Sequence, residues 1–107
     1  MKIPGVVIDD EKVDRYTAKR RLAQHGGFED LQEALSGTDF LEDYCTGHCP
    51  VELGGRPLLI LSDINMPLLN GFETLEALMQ RQAAGLAPPS VVVMMFTSSS
   101  NLSLIHI

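Results

Sequence analysis

Three aspartates stand at the ends of apolar runs: Asp9 and Asp10 follow Gly5-Val6-Val7-Ile8, and Asp63 follows Leu58-Leu59-Ile60-Leu61-Ser62. A further run, Val91-Val92-Val93-Met94-Met95-Phe96, ends at Thr97-Ser98. Setting the strands that end at Asp9 and Asp63 side by side would gather three carboxylates within a few ångströms. At neutral pH such a cluster persists only with raised pKa values or a bound cation, and a hard divalent ion with oxygen ligands is the natural one. Mg²⁺ fits, because it takes one or two carboxylates, keeps several waters and leaves a carboxylate for other work. Asp63 is then a candidate nucleophile toward a phosphoryl group, with the ion offsetting charge on the transferring oxygens. It is followed by Ile64-Asn65-Met66-Pro67, in which Pro67 fixes a turn whose carbonyls can also meet a metal. Thr97 offers a hydroxyl able to hydrogen-bond a phosphoryl oxygen. Any one of these residues has an ordinary reading as turn former or helix cap; three acids together are harder to read that way.

The elements that must position these groups follow from hydrophobic pattern. Each apolar run is short and continuous rather than alternating, as in strands covered on both faces, and ligands bind at the carboxyl edge of open parallel sheets. Glu11 to about Gln24 predicts a helix that stops at His25-Gly26-Gly27, a glycine C-cap. Phe72, Leu75 and Met79 mark one face of a helix over about Asn70 to Ala84, ending near Gly85. Ser36 or Thr38 caps a third helix carrying Phe40, Leu41 and Tyr44. Phe28 to Leu35 has helical propensity in Asp30-Leu31-Gln32-Glu33-Ala34-Leu35, yet topology asks for a strand there, and a strand is predicted. Strand and helix in alternation give a parallel sheet with helices on both faces. Two surface loops are expected, Cys45 to Pro57 and Gly85 to Ser90.

With 107 residues the chain is a single domain or part of one. Fourteen Asp and Glu against eight Lys and Arg leave a net charge of −6, which opposes nucleic-acid binding. No run is long enough to span a membrane and no signal peptide is evident, so a cytoplasmic location is expected. Cys45 and Cys49 bracket His48, but a structural zinc site needs four ligands, and two reduced thiols are the expectation.

Val6-Val7-Ile8-Asp9-Asp10-Glu11, Leu58 to Pro67 with Gly71, and Phe96-Thr97-Ser98, in that order, resemble the receiver domain of two-component response regulators. The resemblance implies an α/β, flavodoxin-like doubly wound parallel sheet in three α/β/α layers, strand order 2-1-3-4-5. It implies phosphoryl transfer from a histidine kinase or histidine phosphotransfer protein onto Asp63, with Mg²⁺ held by Asp9, Asp10, Asp63 and the backbone carbonyl of Asn65. Thr97 matches the switch hydroxyl, and the output is a changed contact with a downstream protein target. A receiver of this kind takes up a phosphoryl group once and hydrolyses it slowly; it is not a conventional turnover enzyme.

The carboxyl end departs from the family. The receiver match is expected over residues 1–101, with 102–107 a non-matching tail. The family's fifth strand with its lysine next to proline, and its fifth helix, have no counterpart in Leu102-Ser103-Leu104-Ile105-His106-Ile107. Neither Lys nor Arg occurs after Arg81, and His106, with an ordinary pKa of about 6.5, is a poor substitute for that charge-assisted contact. A truncated receiver, less stable than a complete one, with Val91 to Phe96 left as an apolar sheet edge, is the expectation. Two other readings stand beside phosphoacceptance: a receiver-like interaction domain that never takes phosphate, and an aspartate-based phosphohydrolase. The second is disfavoured because there is no phosphate-binding Gly-x-x-x-x-Gly-Lys loop, and no second aspartate two residues after Asp63.

Overall fold

The computed structural model describes residues 2–64, 69–96 and 102–106. The elements run β1 (Gly5–Ile8), α1 (Lys12–His25), β2 (Gln32–Ala34), α2 (Gly37–Tyr44), β3 (Leu58–Asp63), α3 (Gly71–Ala83), β4 (Val91–Phe96) and β5 (Leu102–His106). They form one sheet of order β2-β1-β3-β4-β5, in which the first four strands are parallel. This is the flavodoxin-like order that the family resemblance implies.

Alternation along the strands sorts the core into two layers. Val6, Ile8, Leu58, Ile60, Val91, Val93 and Met95 pack with Phe40, Leu41 and Tyr44 of α2 and Leu78 of α3. Val7, Leu59 and Leu61 face the other way, against Leu31 and the half-buried Ala18 and Leu22 of α1. A strand apolar at every position is therefore what two covered faces require. β1 and β3 are buried along their whole length, which makes their carboxyl ends rigid platforms.

The helix ends use local chemistry. Gly26 closes α1 at φ 69, where a Cβ would be strained. Ser36, rather than Thr38, caps α2 by accepting from Asp39 N–H at 3.1 Å. Asn70 and Glu73 form a reciprocal capping box at the start of α3. The segment with helical propensity near residue 32 is a strand because pairing with β1 (Val6 to Gln32, Ile8 to Ala34) outweighs a local preference worth only a few tenths of a kcal/mol per residue.

Two expectations need correction. The face of α3 marked by Phe72, Leu75 and Met79 is not the buried one: Phe72 and Met79 are 54% and 50% exposed, and Gly71, Thr74 and Leu78 are buried. Close approach rather than apolarity sets the rotation, since a Cβ on Gly71 would lie 2.7 Å from the Asp63 carbonyl oxygen, and one on Gly37 would collide with the Thr74 hydroxyl. Nor is β4 a bare edge. Leu102–His106 returns antiparallel along it, pairing Phe96 with Leu102 and Val92 with His106. The tail's β-prone residues supply ladder partners for β4, although the strand runs opposite to the parallel fifth strand that the resemblance implies.

Candidate metal centre

The β1–β3 register builds the centre. Gly5 pairs with Leu59 and Ile8 with Ser62, so the next positions along the two strands, Asp9 and Asp63, emerge as neighbours. Asp10 follows at the surface. One ligand oxygen from each of Asp9, Asp10 and Asp63 lies within 4.8 Å of the others, and this is the single group of three or more potential metal ligands among the described residues. Asp9 is fully buried, Asp63 is 7% exposed and Asp10 is open to solvent. The cluster thus has a dry wall and a wet mouth. β3 and β4 meet at Asp63 and Phe96, the residue before Thr97. Asn65 and Thr97, the other two predicted site residues, lie outside the described residues, as do Met66 and Pro67.

Electrostatics agree with a site built for a cation. Burial, reinforced by the carboxylates of Asp63, Asp14 and Asp10, pushes the Asp9 carboxyl up to about 6, against the opposing pull of a hydrogen bond from Glu11 N–H. That bond, 2.8 Å long, occupies Oδ1. Oδ2 is buried with no hydrogen-bond partner. A buried, unpartnered carboxylate oxygen costs on the order of 1–3 kcal/mol or more, and a hard dication would relieve both that cost and the repulsion among the acids. Three carboxylates, one of them water-facing, suit Mg²⁺, which retains part of its hydration.

Sequence reasoning underplayed two residues. Gly71 brings the start of α3 against the end of β3 and donates its N–H to the Ile64 carbonyl at 3.1 Å. Arg15, 8% exposed, donates through Nη1 to the Asp9 carbonyl at 2.8 Å and through Nε to Glu33 at 2.9 Å. In the sequence it is one charge among several on the same helix, beside Lys12, Asp14 and Lys19, and such a charge reads as solvated. The Cys45–Cys49 pair joins no metal group among the described residues; both thiols are free, and burial pushes that of Cys45 up to about 11. No helix among the described residues is long and apolar enough to cross a membrane.

Comparison with known proteins follows the same lines. A family model for the Response regulator receiver domain matches residues 6–106. The transcriptional regulatory protein DegU of Brevibacillus brevis is 36% identical over 83 residues, 75% of this chain and 30% of its own length. A protein-glutamate methylesterase/protein-glutamine glutaminase of Alkalilimnicola ehrlichii is 33% identical over 82 residues, 77% of this chain and 19% of its own. The chain thus spans less than a third of the length of either relative. Among solved structures, chemotaxis protein CheY4 of Vibrio cholerae aligns over 94% of this chain and 72% of its own, at 23% identity and TM-score 0.60. A CheY-like receiver domain protein of Methanospirillum hungatei aligns over 94% and 70%, at 21% identity and TM-score 0.61. At these identities the structural likeness speaks to fold.

Proposed function

Since the chain belongs to the response regulator receiver domain family of two-component systems, we propose that it is a phosphoacceptor module that takes a phosphoryl group onto Asp63. The observation that carries this reading is the buried, unpartnered Asp9 Oδ2 beside the carboxylates of Asp10 and Asp63 at the carboxyl ends of β1 and β3.

Each residue then has a task. Asp9 and Asp10, with the backbone carbonyl of Asn65, would hold Mg²⁺ together with Asp63. When bound, the ion supplies positive charge that offsets the phosphoryl oxygens. A carboxylate oxygen of Asp63 attacks phosphorus in line, the bond from phosphorus to the donor breaks, and the donor leaves with the electron pair and takes up a proton. The buried floor formed by β1 and β3 holds Asp63 in place, so little ordering remains for the moment of transfer. Thr97, next after β4 in sequence, donates its hydroxyl to a phosphoryl oxygen. The natural donor is a histidine kinase or histidine phosphotransfer protein, and the output is an altered contact with a downstream protein, in the cytoplasm and without direct nucleic-acid binding. The methylesterase activity of one relative belongs to that longer protein.

The test is to incubate the chain with acetyl phosphate and Mg²⁺ and to follow intact mass. One phosphoryl increment is expected, absent in Asp63→Asn and absent when EDTA removes the metal. Equal labelling of Asp63→Asn would remove the assignment, and steady turnover of a phosphate ester would favour a hydrolase instead. Beryllofluoride with Mg²⁺ should shift amides around Asp10 and Asp63 in the unmodified chain and not in Asp63→Asn.

A further inference from the structure

We propose that Arg15 is the positioning residue of the acidic centre: it fixes the backbone of Asp9, and through that backbone the buried carboxylate, without itself touching metal or phosphoryl group. The inference rests on the reading of Asp9, Asp10 and Asp63 as a Mg²⁺ site and deepens it by naming what holds the site in shape.

Arg15 is the buried residue of α1. A guanidinium removed from water is costly unless its donors are used. Here they join three elements: Nη1 donates to the carbonyl of Asp9 just past β1, 2.8 Å away, and Nε donates to Glu33 of β2, 2.9 Å away. Lys19, one helical turn further along α1, reaches the other oxygen of the same Glu33 at 3.4 Å. The residue after Glu33 completes the clamp, because the Ala34 carbonyl accepts from Asp9 N–H at 3.1 Å. Asp9 is therefore gripped on both sides of its Cα. Its N–H goes to β2, its C=O to Arg15 and its Oδ1 to Glu11 N–H, which leaves Oδ2 as the atom without a partner.

An ordinary helix staple would also bridge α1 to the sheet, yet it would have no reason to end on the peptide that carries the metal-binding carboxylate. Groups that orient a metal ligand typically cost about 10–100-fold in metal affinity when removed. Arg15 differs in this from Arg56, the other heavily bonded arginine. Arg56 donates to the carbonyls of Lys2, Glu52 and Leu53 and to Glu29 at 2.6–2.8 Å, at the amino-terminal edge of the sheet, opposite the acids.

The experiment is a Mg²⁺ titration of the whole chain, followed by amide NMR, alongside thermal unfolding. Arg15→Met should weaken Mg²⁺ binding about tenfold. Arg15→Lys should recover part of the loss, because an ammonium can still donate to the Asp9 carbonyl but cannot also bridge to Glu33 through a second nitrogen. Arg56→Met should lower the melting temperature and leave Mg²⁺ affinity unchanged. Wild-type affinity in a folded Arg15→Met, or an equal loss in Arg56→Met, would overturn the proposal while leaving the metal site standing. Should Arg15→Met fail to fold, Glu33→Ala, which removes the acceptor of Arg15 Nε, decides: weaker Mg²⁺ binding supports the clamp and unchanged binding refutes it. A wild-type chain that binds no Mg²⁺, or binds it equally well after Asp9→Asn and Asp63→Asn, would sink the site and the clamp together.

Discussion

The two helices that follow the site strands are attached in different ways. α3, which follows β3, docks through size and apolarity: Gly71 and Thr74 allow close approach, and Leu78 is buried in the larger core layer. α1, which follows β1, offers less apolar surface: only the half-buried Ala18 and Leu22 pack on the smaller core layer, Val13 and Tyr16 are 71% and 63% exposed, and its buried residue is an arginine. One helix is held by contacts that tolerate no added atom, the other by directed hydrogen bonds added to the packing of Ala18 and Leu22. Both attachments end on an acid of the centre, Asp63 for α3 and Asp9 for α1. Shape and polarity are thus alternative ways of fixing a carboxylate at a strand end, and they should fail differently.

The largest effect is expected on the apolar side. Leu78→Ala empties a buried leucine site and should cost about 2–5 kcal/mol in denaturant unfolding, a large fraction of a small domain's stability. A loss under about 0.5 kcal/mol would show that α3 is not anchored there. Gly71→Ala comes next. Its methyl would press on the Asp63 carbonyl at 2.7 Å, so backbone must shift; overpacking of this kind costs about 1–3 kcal/mol. Because the shift falls on Asp63, Mg²⁺ binding should weaken in parallel, whereas Leu78→Ala should spare it in the folded fraction.

The polar side should reveal itself through pH. Asp9 titrates at about 6 in the folded chain against 3.8 in the unfolded one, so the unfolded state releases its proton first. Its contribution to stability without metal is fully present below about pH 4 and is lost as pH rises through about 6. Mg²⁺ held at the proposed site would bind the ionised form, so the rise in melting temperature on adding Mg²⁺ should be larger at about pH 7.5 than at about pH 5. A metal effect independent of pH would break the link between Asp9 and the ion. The smallest effects should come from the exposed apolar residues of both helices: Tyr16→Ala and Met79→Ala should each change stability by less than about 0.5 kcal/mol. A larger loss at Met79 would restore the helix face that periodicity alone indicates.

Much of this molecule can be read from residue order. Continuous apolar runs ending in Asp9-Asp10, Ser62-Asp63 and Thr97-Ser98 determine buried parallel strands with oxygen-rich ends, because a strand covered on both faces must be apolar throughout and its polar residues can begin only where the cover stops. Caps at Ser36, Asn70 and Gly26 are equally local, since each satisfies or terminates a helix within three residues. Tertiary structure alone decided the rest. The strand at Gln32–Ala34 overrides its own propensity through pairing with β1, α3 turns Gly71 rather than Phe72 inward because two backbones approach, and Leu102–His106 becomes a strand because β4 presents an unpaired edge. Arg15 meets Asp9 only once α1 lies back across β1 and β2, and no spacing rule sees that contact, because a side chain's partner across a fold is set by where the elements pack.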